Sequence, residues 1–522
     1  MKIMTYIRMA ALAMLAASCS DFLEERSQDT YYVSSYKDLD ELLIGDCYLP
    51  VYQASPLAET SDMGYFIHYL ADEIEEQNGS LYSWARNDKE TIYGYYTWQQ
   101  RVGETHNHVG FRKENGTWTE TYRLINVANN IIDAVDKVAQ ASDDERRGVR
   151  RVRGEAHFLR AAYYFWLVNL YAKPYAEQTA ATDPGVPVKT VAKVNDVIYR
   201  RNTVKEVYEQ IVGDLRQAEQ DLTDMPRSAS LYRADIVAVQ FLLARVYLYM
   251  QQWQQAAAYA RKVMEASPRL VDLNTYKGAF LTKSSVENLF SMGGAEIPAS
   301  MCNIYQSFRV SHDLYDAYAE NDLRKKCFWW TYKDFVGYTK LEVTATSDRE
   351  PDSKYYYQDC FYYPILKQRS PVSDKFLYRT AEAYLNLAEA EALQGNEAEA
   401  RRVLNELRRH RYASADFQEE TASGQALVQS IRKERRLELA LEGHRWFDLR
   451  RYSVCPRYPE SKEIVHEYTY YEDDTEEKER HRFVLKAFDP AYTLPIPQEV
   501  IGFNTGMVNN ERPVREHTVV PL

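Results

Sequence analysis

Two stretches rich in aromatic residues hold the side chains best suited to binding chemistry in this chain. We select eight residues from them as candidate ligand contacts: Trp84, Arg86, Tyr96, Trp98, Asn107, Trp329, Trp330 and Tyr332. A sugar ring has an apolar C–H face that stacks on a flat aromatic ring, while amide and guanidinium groups pair with its hydroxyls. A peptide would use the same aromatic side chains with backbone partners, so the pattern leaves both ligand classes open.

Each aromatic residue in these stretches is also suited to packing in the protein interior. Trp329 and Trp330 are adjacent, and successive side chains of an extended segment point to opposite faces. The two rings therefore cannot both enter the core, and we expect one of them to be exposed.

The motifs of common enzyme classes do not occur in this sequence. We find no Gly-rich phosphate loop, no GxSxG turn and no HExxH pair. His106 and His108 come nearest to a metal pair, but without a third ligand they are expected to be surface residues. We expect no metal and no cofactor. Acidic residues are abundant, so the residues alone leave open a pair of carboxylates for glycoside cleavage.

Composition narrows the class of partner. The 522 residues carry a formal net charge of −12, which argues against nucleic acid, because phosphate binding needs a basic surface. Six cysteines are scattered without a CxxC pair, so neither a disulfide framework nor a zinc site is indicated. The sequence leaves open whether two of these cysteines form a single disulfide.

The N-terminal residues have the pattern of a secretory signal. Lys2 and Arg8 flank the start of a short apolar segment, which is too short to cross a bilayer. Cys19 follows small residues and resembles the lipobox cysteine that receives a diacylglyceryl group in bacteria. This resemblance implies a signal peptide over residues 1–18 and a lipid-anchored protein with its body in water. The alternative is an ordinary signal peptide with an incidental cysteine.

Helical periodicity predicts helices over about residues 35–47, 118–139, 143–171 and 203–222. The last of these begins with Thr203 and Glu206 in a capping-box pattern, and Pro174 ends the one before it. Residues 50–117 lack this periodicity and contain several glycines. They predict long loops with short ordered pieces.

Two segments show the residue offsets of a tetratricopeptide helix pair. The first is marked by Leu243, Tyr247, Ala256 and Ala260, and the second by Leu387, Ala388, Ala400, Leu404 and Leu407. Small residues at these offsets let two helices approach closely. The two copies lie far apart in the chain, so they do not form a simple tandem array.

Four blocks of sequence resemble the SusD/RagB family of nutrient-uptake lipoproteins from Bacteroidetes. They occur in the family order at residues 153–171, 382–408, 431–451 and 494–509. Together with the lipobox near residue 19, they are distributed along most of the chain. The resemblance is specific for the family and much less so for the ligand.

The resemblance implies a mainly α-helical protein in which tetratricopeptide-type helix pairs form a scaffold and an irregular, loop-rich lobe binds ligand. We expect residues 19–522 to form one such domain. Its scaffold would cover about 118–270 and 372–455, its ligand lobe about 50–117 and 270–371, and its C-terminal segment 456–522. Such proteins sit on the outer face of the outer membrane and pass ligand to a SusC-like TonB-dependent transporter without cleaving it.

We therefore expect a non-catalytic surface lipoprotein that captures glycans, with peptide capture and an adhesive or structural role as alternatives. The charged residues of the third block, such as Glu434, Arg435, Glu438 and Glu442, recur at helical steps. We expect them to form an ion-pair network that anchors the C-terminal segment to the helical scaffold, with a role in the contact with the transporter as the alternative. Asp322 and Arg324 are also expected to be structural.

Overall fold

Helices dominate the part of the chain that the computed structural model describes. This part comprises residues 33–50, 63–77, 83–105, 114–192, 197–295, 307–342, 370–471 and 477–522, without the side chains of residues 83–88 and 477–478. The helices are α1 Tyr36–Leu42, α2 Ser83–Tyr96, α3 Gly116–Val135, α4 Asp143–Tyr171, α5 Val204–Leu222, α6 Ile236–Tyr249, α7 Trp253–Ala266, α8 His312–Asp316, α9 Arg324–Cys327, α10 Thr380–Gln394, α11 Glu397–Arg409, α12 Gly424–Glu438, α13 Arg445–Ser453 and α14 Gln498–Phe503. No helix within these ranges has the length and apolar character needed to cross a membrane.

The strands are short and come from distant parts of the chain. They are β1 Ile74–Glu76, β2 Asn288–Ser291, β3 Phe308–Val310, β4 Trp329–Tyr332, β5 Phe335–Tyr338, β6 Leu377–Arg379, β7 Ile464–Tyr471, β8 Glu477–Leu485 and β9 His517–Val520. Antiparallel pairing joins β1 to β3, β2 to β6 and β4 to β5, while β7, β8 and β9 form one sheet.

Local capping signals place two long helices as predicted. Before α4, the Ser142 hydroxyl accepts a hydrogen bond from the Glu145 amide at 3.2 Å, and the Glu145 carboxylate accepts one from the Ser142 amide at 2.8 Å. Thr203 and Glu206 make the same reciprocal pair before α5. These bonds satisfy amide groups that a helix start otherwise leaves unpaired. The predicted capping box at Thr203 is confirmed.

The two predicted tetratricopeptide-type helix pairs are confirmed as α6 with α7 and α10 with α11. Gln251 has a φ of 62° in the turn of the first pair, and Gly395 has a φ of 92° in the turn of the second. Ala256, Ala260 and Ala400 are fully buried, as close helix packing requires. Helix α7 also packs against α10, so two pairs that are distant in sequence lie side by side. The fold is mainly α-helical, as expected.

The prediction of long loops over residues 50–117 is wrong at α2, a helix of 14 residues. Gly94 obscures the helical pattern there, but the structure requires it. A Cβ atom at this position would lie 2.3 Å from the carbonyl oxygen of Val102, so only glycine lets the chain return across the helix end.

The charged residues of the third block form an ion-pair network, as expected, and the centre of this network is fully buried. Its centre is Glu438 in α12, whose carboxylate accepts hydrogen bonds from Arg324 at 2.9 Å, Arg379 at 2.6 Å and Arg411 at 2.9 Å. Arg379 also pairs with Glu442 at 2.8 Å. Asp322 pairs with Arg324 in the same cluster, so both residues are structural, as predicted. The network ties the segment before β4 to the helices around α12.

The remaining predictions on cysteines and N-terminal processing fall largely outside the described ranges. Cys47, Cys327 and Cys455 are free thiols. Cys19 lies outside the described residues, and so do Asn107, His106 and His108.

Candidate functional site

Tyr96 and Trp98 lie in the protein interior, so the prediction that they contact ligand is wrong. Both rings stack on the imidazole of His466 in β7, with centroid separations of 4.1 and 4.4 Å. The Trp98 indole N–H donates a hydrogen bond to the Leu70 carbonyl at 3.0 Å. The turn after α2 thus directs both rings toward the strand β7, where they form part of the core.

Burial of His466 between these rings affects its ionisation. Its two ring nitrogens lie 2.7 Å from the Tyr96 carbonyl oxygen and 3.0 Å from the Ala71 carbonyl oxygen. Desolvation lowers the pKa of His466 to about 4, because the charged imidazolium loses its water shell. The imidazole is therefore neutral at physiological pH and serves as a packing element.

Trp84 and Arg86, two further candidates in the first aromatic stretch, remain predicted ligand contacts. Trp84 and Arg86 belong to α2, whose N-terminal side chains are outside the described set. Asn107 lies outside the described residues altogether. The described part of the first stretch therefore offers a packed interior where a ligand-binding surface was expected.

Trp329 and Trp330 in β4 have opposite environments, which confirms that only one of the two rings enters the core. Trp329 is buried against Tyr318 and Tyr338, with centroid separations of 5.8 Å to each. The prediction that Trp329 contacts ligand is therefore wrong. Trp330 is half-buried, and Tyr332, which lies on the same face of the strand, has 44% of its surface exposed.

The hairpin of β4 and β5, which we call the aromatic hairpin, holds Trp330 in place. Trp330 pairs with Gly337 across the hairpin, and Tyr332 pairs with Phe335. A Cβ atom on Gly337 would lie 2.0 Å from the Trp330 indole nitrogen, so the ring lies directly over the glycine backbone. The Phe335 ring packs on Trp330 at 5.0 Å between centroids. One side of the indole is thus fixed, and Tyr332 extends the aromatic surface toward solvent.

A group of polar side chains, which we call the polar rim, adjoins the turn of the aromatic hairpin. Arg309 in β3 donates to the Asp334 carboxylate at 2.7 Å and to the Glu75 carboxylate at 2.8 Å. His312 contacts the same Glu75 oxygen at 2.6 Å. The hydrogen bond from Arg309 lowers the pKa of Asp334 below its ordinary range. The rim therefore presents an ionised carboxylate at Asp334, in the turn that follows Tyr332, and the imidazole of His312 on the far side of Glu75 and Arg309.

Sequence reasoning missed the polar rim. Glu75 and Arg309 lie opposite each other in the pairing of β1 with β3, although they are 234 positions apart. No local pattern marks either residue, because each strand has three residues only. Together, hairpin and rim can stack on the apolar face of a ring and accept hydrogen bonds from its hydroxyls. Within the described ranges, no cluster of histidine, cysteine and acidic side chains is arranged to hold a metal ion.

The fold defines a helical-repeat protein with helix pairs of the tetratricopeptide type, and comparison with known proteins gives its family. Residues 315–513 match the model described as "SusD family". Residues 21–248 match a model described as "Starch-binding associating with outer membrane". The chain belongs to the SusD/RagB family.

Relatives and solved structures agree with this assignment. The chain is 27% identical to SusD-like protein P2 of Formosa agariphila, over 64% of this chain and 70% of that protein. It is 23% identical to a SusD-like protein of Bacteroides ovatus, over 84% of this chain and 81% of the relative. A SusD superfamily structure from Bacteroides thetaiotaomicron superimposes with a TM-score of 0.68 at 22% identity, covering 92% of this chain and 100% of that one. A SusD-like carbohydrate binding protein from Bacteroides vulgatus superimposes with a TM-score of 0.64 at 20% identity, covering 91% and 98%.

Proposed function

We propose that the protein captures glycans at the outer membrane and passes them to a SusC-like TonB-dependent transporter without cleaving them. In this proposal Cys19 carries the lipid anchor, the body of the protein faces the cell exterior, and ligand binds at the aromatic hairpin. The observation that carries the proposal is the exposed Tyr332 ring beside the half-buried Trp330.

The surroundings of Tyr332 support a sugar ligand. A flat ring that is 44% exposed offers a platform for the C–H face of a sugar, and the exposed Asp334 carboxylate, two positions further along the hairpin, can accept hydrogen bonds from its hydroxyls. The family model described as starch-binding and the carbohydrate-binding name of one structural neighbour point to the same ligand class.

The test is calorimetry of the full-length protein in detergent with a panel of neutral oligosaccharides, beginning with maltooligosaccharides, and with a peptide pool beside them. We expect Tyr332→Ala to weaken glycan binding roughly tenfold, or about 1.4 kcal/mol, as expected for the loss of one stacking partner. Trp330→Ala should weaken it as well. Phe503→Ala is the matched control, because Phe503 is more exposed than Tyr332 but lies on α14.

The panel separates this proposal from its alternatives. Glycan binding that is equally strong in wild type and Tyr332→Ala would exclude the hairpin as the site. Binding of peptides alone would favour a peptide-uptake subunit. If neither the oligosaccharides nor the peptides bind, an adhesive role would be favoured. Release of shorter products during the titration would show that the protein is an enzyme.

A further inference from the structure

A cleft of about 450 Å³ opens on a different part of the surface, between the turn after α2 and the C-terminal segment. Gln100, Arg101 and Glu114 line one side, and Gln498 and Arg512 are on the other. The volume lies within the range of small-ligand sites. None of these residues belongs to the aromatic hairpin or to the polar rim.

Arg512 is a buried cation that forms no ion pair with a described carboxylate. Only 5% of its surface is exposed. Its Nε donates to the Gln99 carbonyl at 2.6 Å, and its Nη1 donates to the carbonyls of Ala491 and Thr493 at 3.1 and 3.2 Å. Its Nη2 has no hydrogen-bond partner among the described residues, and no described carboxylate forms an ion pair with it. Backbone carbonyls thus hold the guanidinium in place through three of its five N–H donors, and the two N–H groups of Nη2 are left over.

This environment favours an anion beside Arg512. A guanidinium has five N–H donors and keeps its charge in proteins. Desolvation lowers the pKa of Arg512 to about 9, and the positive charge of Arg515 adds to this effect. The side chain is therefore still charged at neutral pH, at a cost that an opposite charge would offset. A carboxylate matches the planar geometry of the guanidinium best.

Glu114 supplies the complementary group in the same cleft. Its Oε1 accepts hydrogen bonds from the Arg101 side chain at 2.9 Å and from the backbone N–H of Gln498 at 3.1 Å. Its Oε2 is buried and has no partner among the described residues. The cleft therefore lacks an acceptor for Arg512 and a donor for Glu114. A ligand that presents a carboxylate and a hydroxyl would satisfy both.

We propose that this cleft binds an acidic sugar residue, whose carboxylate pairs with Arg512 and whose hydroxyl donates to Glu114. The lining suits a sugar, because the exposed side chains of Gln100 and Gln498 offer amides for ring hydroxyls. The described residues of the lining include no aromatic side chain, so recognition by them rests mainly on charge and hydrogen bonds. The inference extends the proposed glycan-binding function to a second, acid-selective subsite on a separate surface.

The first experiment compares galacturonate with galactose by saturation-transfer NMR on the full-length protein in detergent, since the two sugars differ at C6 alone. We expect galacturonate to bind at least about tenfold more tightly than galactose, as charge-assisted hydrogen bonds allow. Arg512→Lys keeps a positive charge but removes the unpaired Nη2 donors and the contacts to the three carbonyls that position them, and it should reduce this preference at least about threefold. Acetate and a tripeptide with a free carboxylate are the comparison probes, and both should bind much more weakly than galacturonate.

Two further variants keep the result interpretable if Arg512→Lys unfolds the protein, which a thermal melt would show. Glu114→Gln should weaken galacturonate binding about threefold, as for the loss of one hydrogen bond. Glu511→Gln removes an exposed negative charge at the rim and should strengthen galacturonate binding slightly without affecting galactose.

The outcomes for the cleft and for the aromatic hairpin are separable. Equal binding of galacturonate and galactose, or acetate binding as tight as galacturonate, would overturn the inference for the cleft. Neither result would alter the effect of Tyr332→Ala on neutral oligosaccharides. Conversely, an acid preference that survives Tyr332→Ala and falls in Arg512→Lys, while Glu114→Gln weakens galacturonate and galactose alike, would support the cleft even if the hairpin binds nothing.

Discussion

Replacing Glu438 by glutamine should be among the most damaging single changes in the chain, although glutamine has nearly the same shape. The carboxylate of Glu438 accepts hydrogen bonds from Arg324, Arg379 and Arg411 at 2.6 to 3.0 Å. All four side chains have no exposed surface. Three guanidinium groups therefore depend on a charge that water cannot replace.

The expected loss follows from the burial of these ion pairs. Removing one partner of a buried pair costs about 3–5 kcal/mol, because the remaining charge is left without compensation. Glutamine keeps one acceptor but places an N–H₂ group toward a guanidinium, so we expect a loss at the upper end of this range. Glu287 still pairs with Arg379 and Arg411 at 3.1 and 2.6 Å, which prevents a larger loss.

Urea denaturation followed by circular dichroism and by tryptophan fluorescence measures this effect, with the free energy of unfolding taken where the two probes coincide. The control is Asp133→Asn, which removes an exposed pair with Lys137 and should cost at most about 0.5 kcal/mol. A Glu438→Gln variant within 1 kcal/mol of the wild type would refute the argument that this buried charge is required.

Three other predictions concern separate regions. In the folded state, the pKa of His466 is lowered to about 4. The contribution of the neutral imidazole to stability is therefore complete above pH 6.5 and is lost as the pH falls toward 4, by about 1.4 kcal/mol per pH unit. His466→Gln should flatten the dependence of the unfolding free energy on pH in this window. Asp224 follows α5 with a φ of 64°, a position where glycine is preferred, so Asp224→Gly should raise the unfolding free energy by about 0.5–1 kcal/mol in the same urea assay. Cys19→Ala should release the protein from the membrane fraction on centrifugation, and a variant that stays in the membrane would contradict the lipid-anchor prediction.

Local signals in the sequence predicted much of the helical framework. The capping pairs at Ser142 and Thr203 depend on residues three positions apart, and the two tetratricopeptide-type pairs depend on small residues at short, regular spacing. The charged block around Glu438 was recognisable for the same reason, because its helical steps are local. The helix α2 was missed, since Gly94 is required by a contact with Val102 that the sequence around it does not reveal.

The candidate site shows where local information ends. The sequence by itself determined that aromatic side chains are concentrated in two stretches, and that Trp329 and Trp330 cannot both be buried. Only the tertiary structure decided which rings are accessible. Trp98 is buried because β7, more than 300 positions later, brings His466 against it, and Arg309 reaches the hairpin because β3 pairs with β1. Exposure and ion pairing depend on contacts between distant segments, and these are settled by how the whole chain packs.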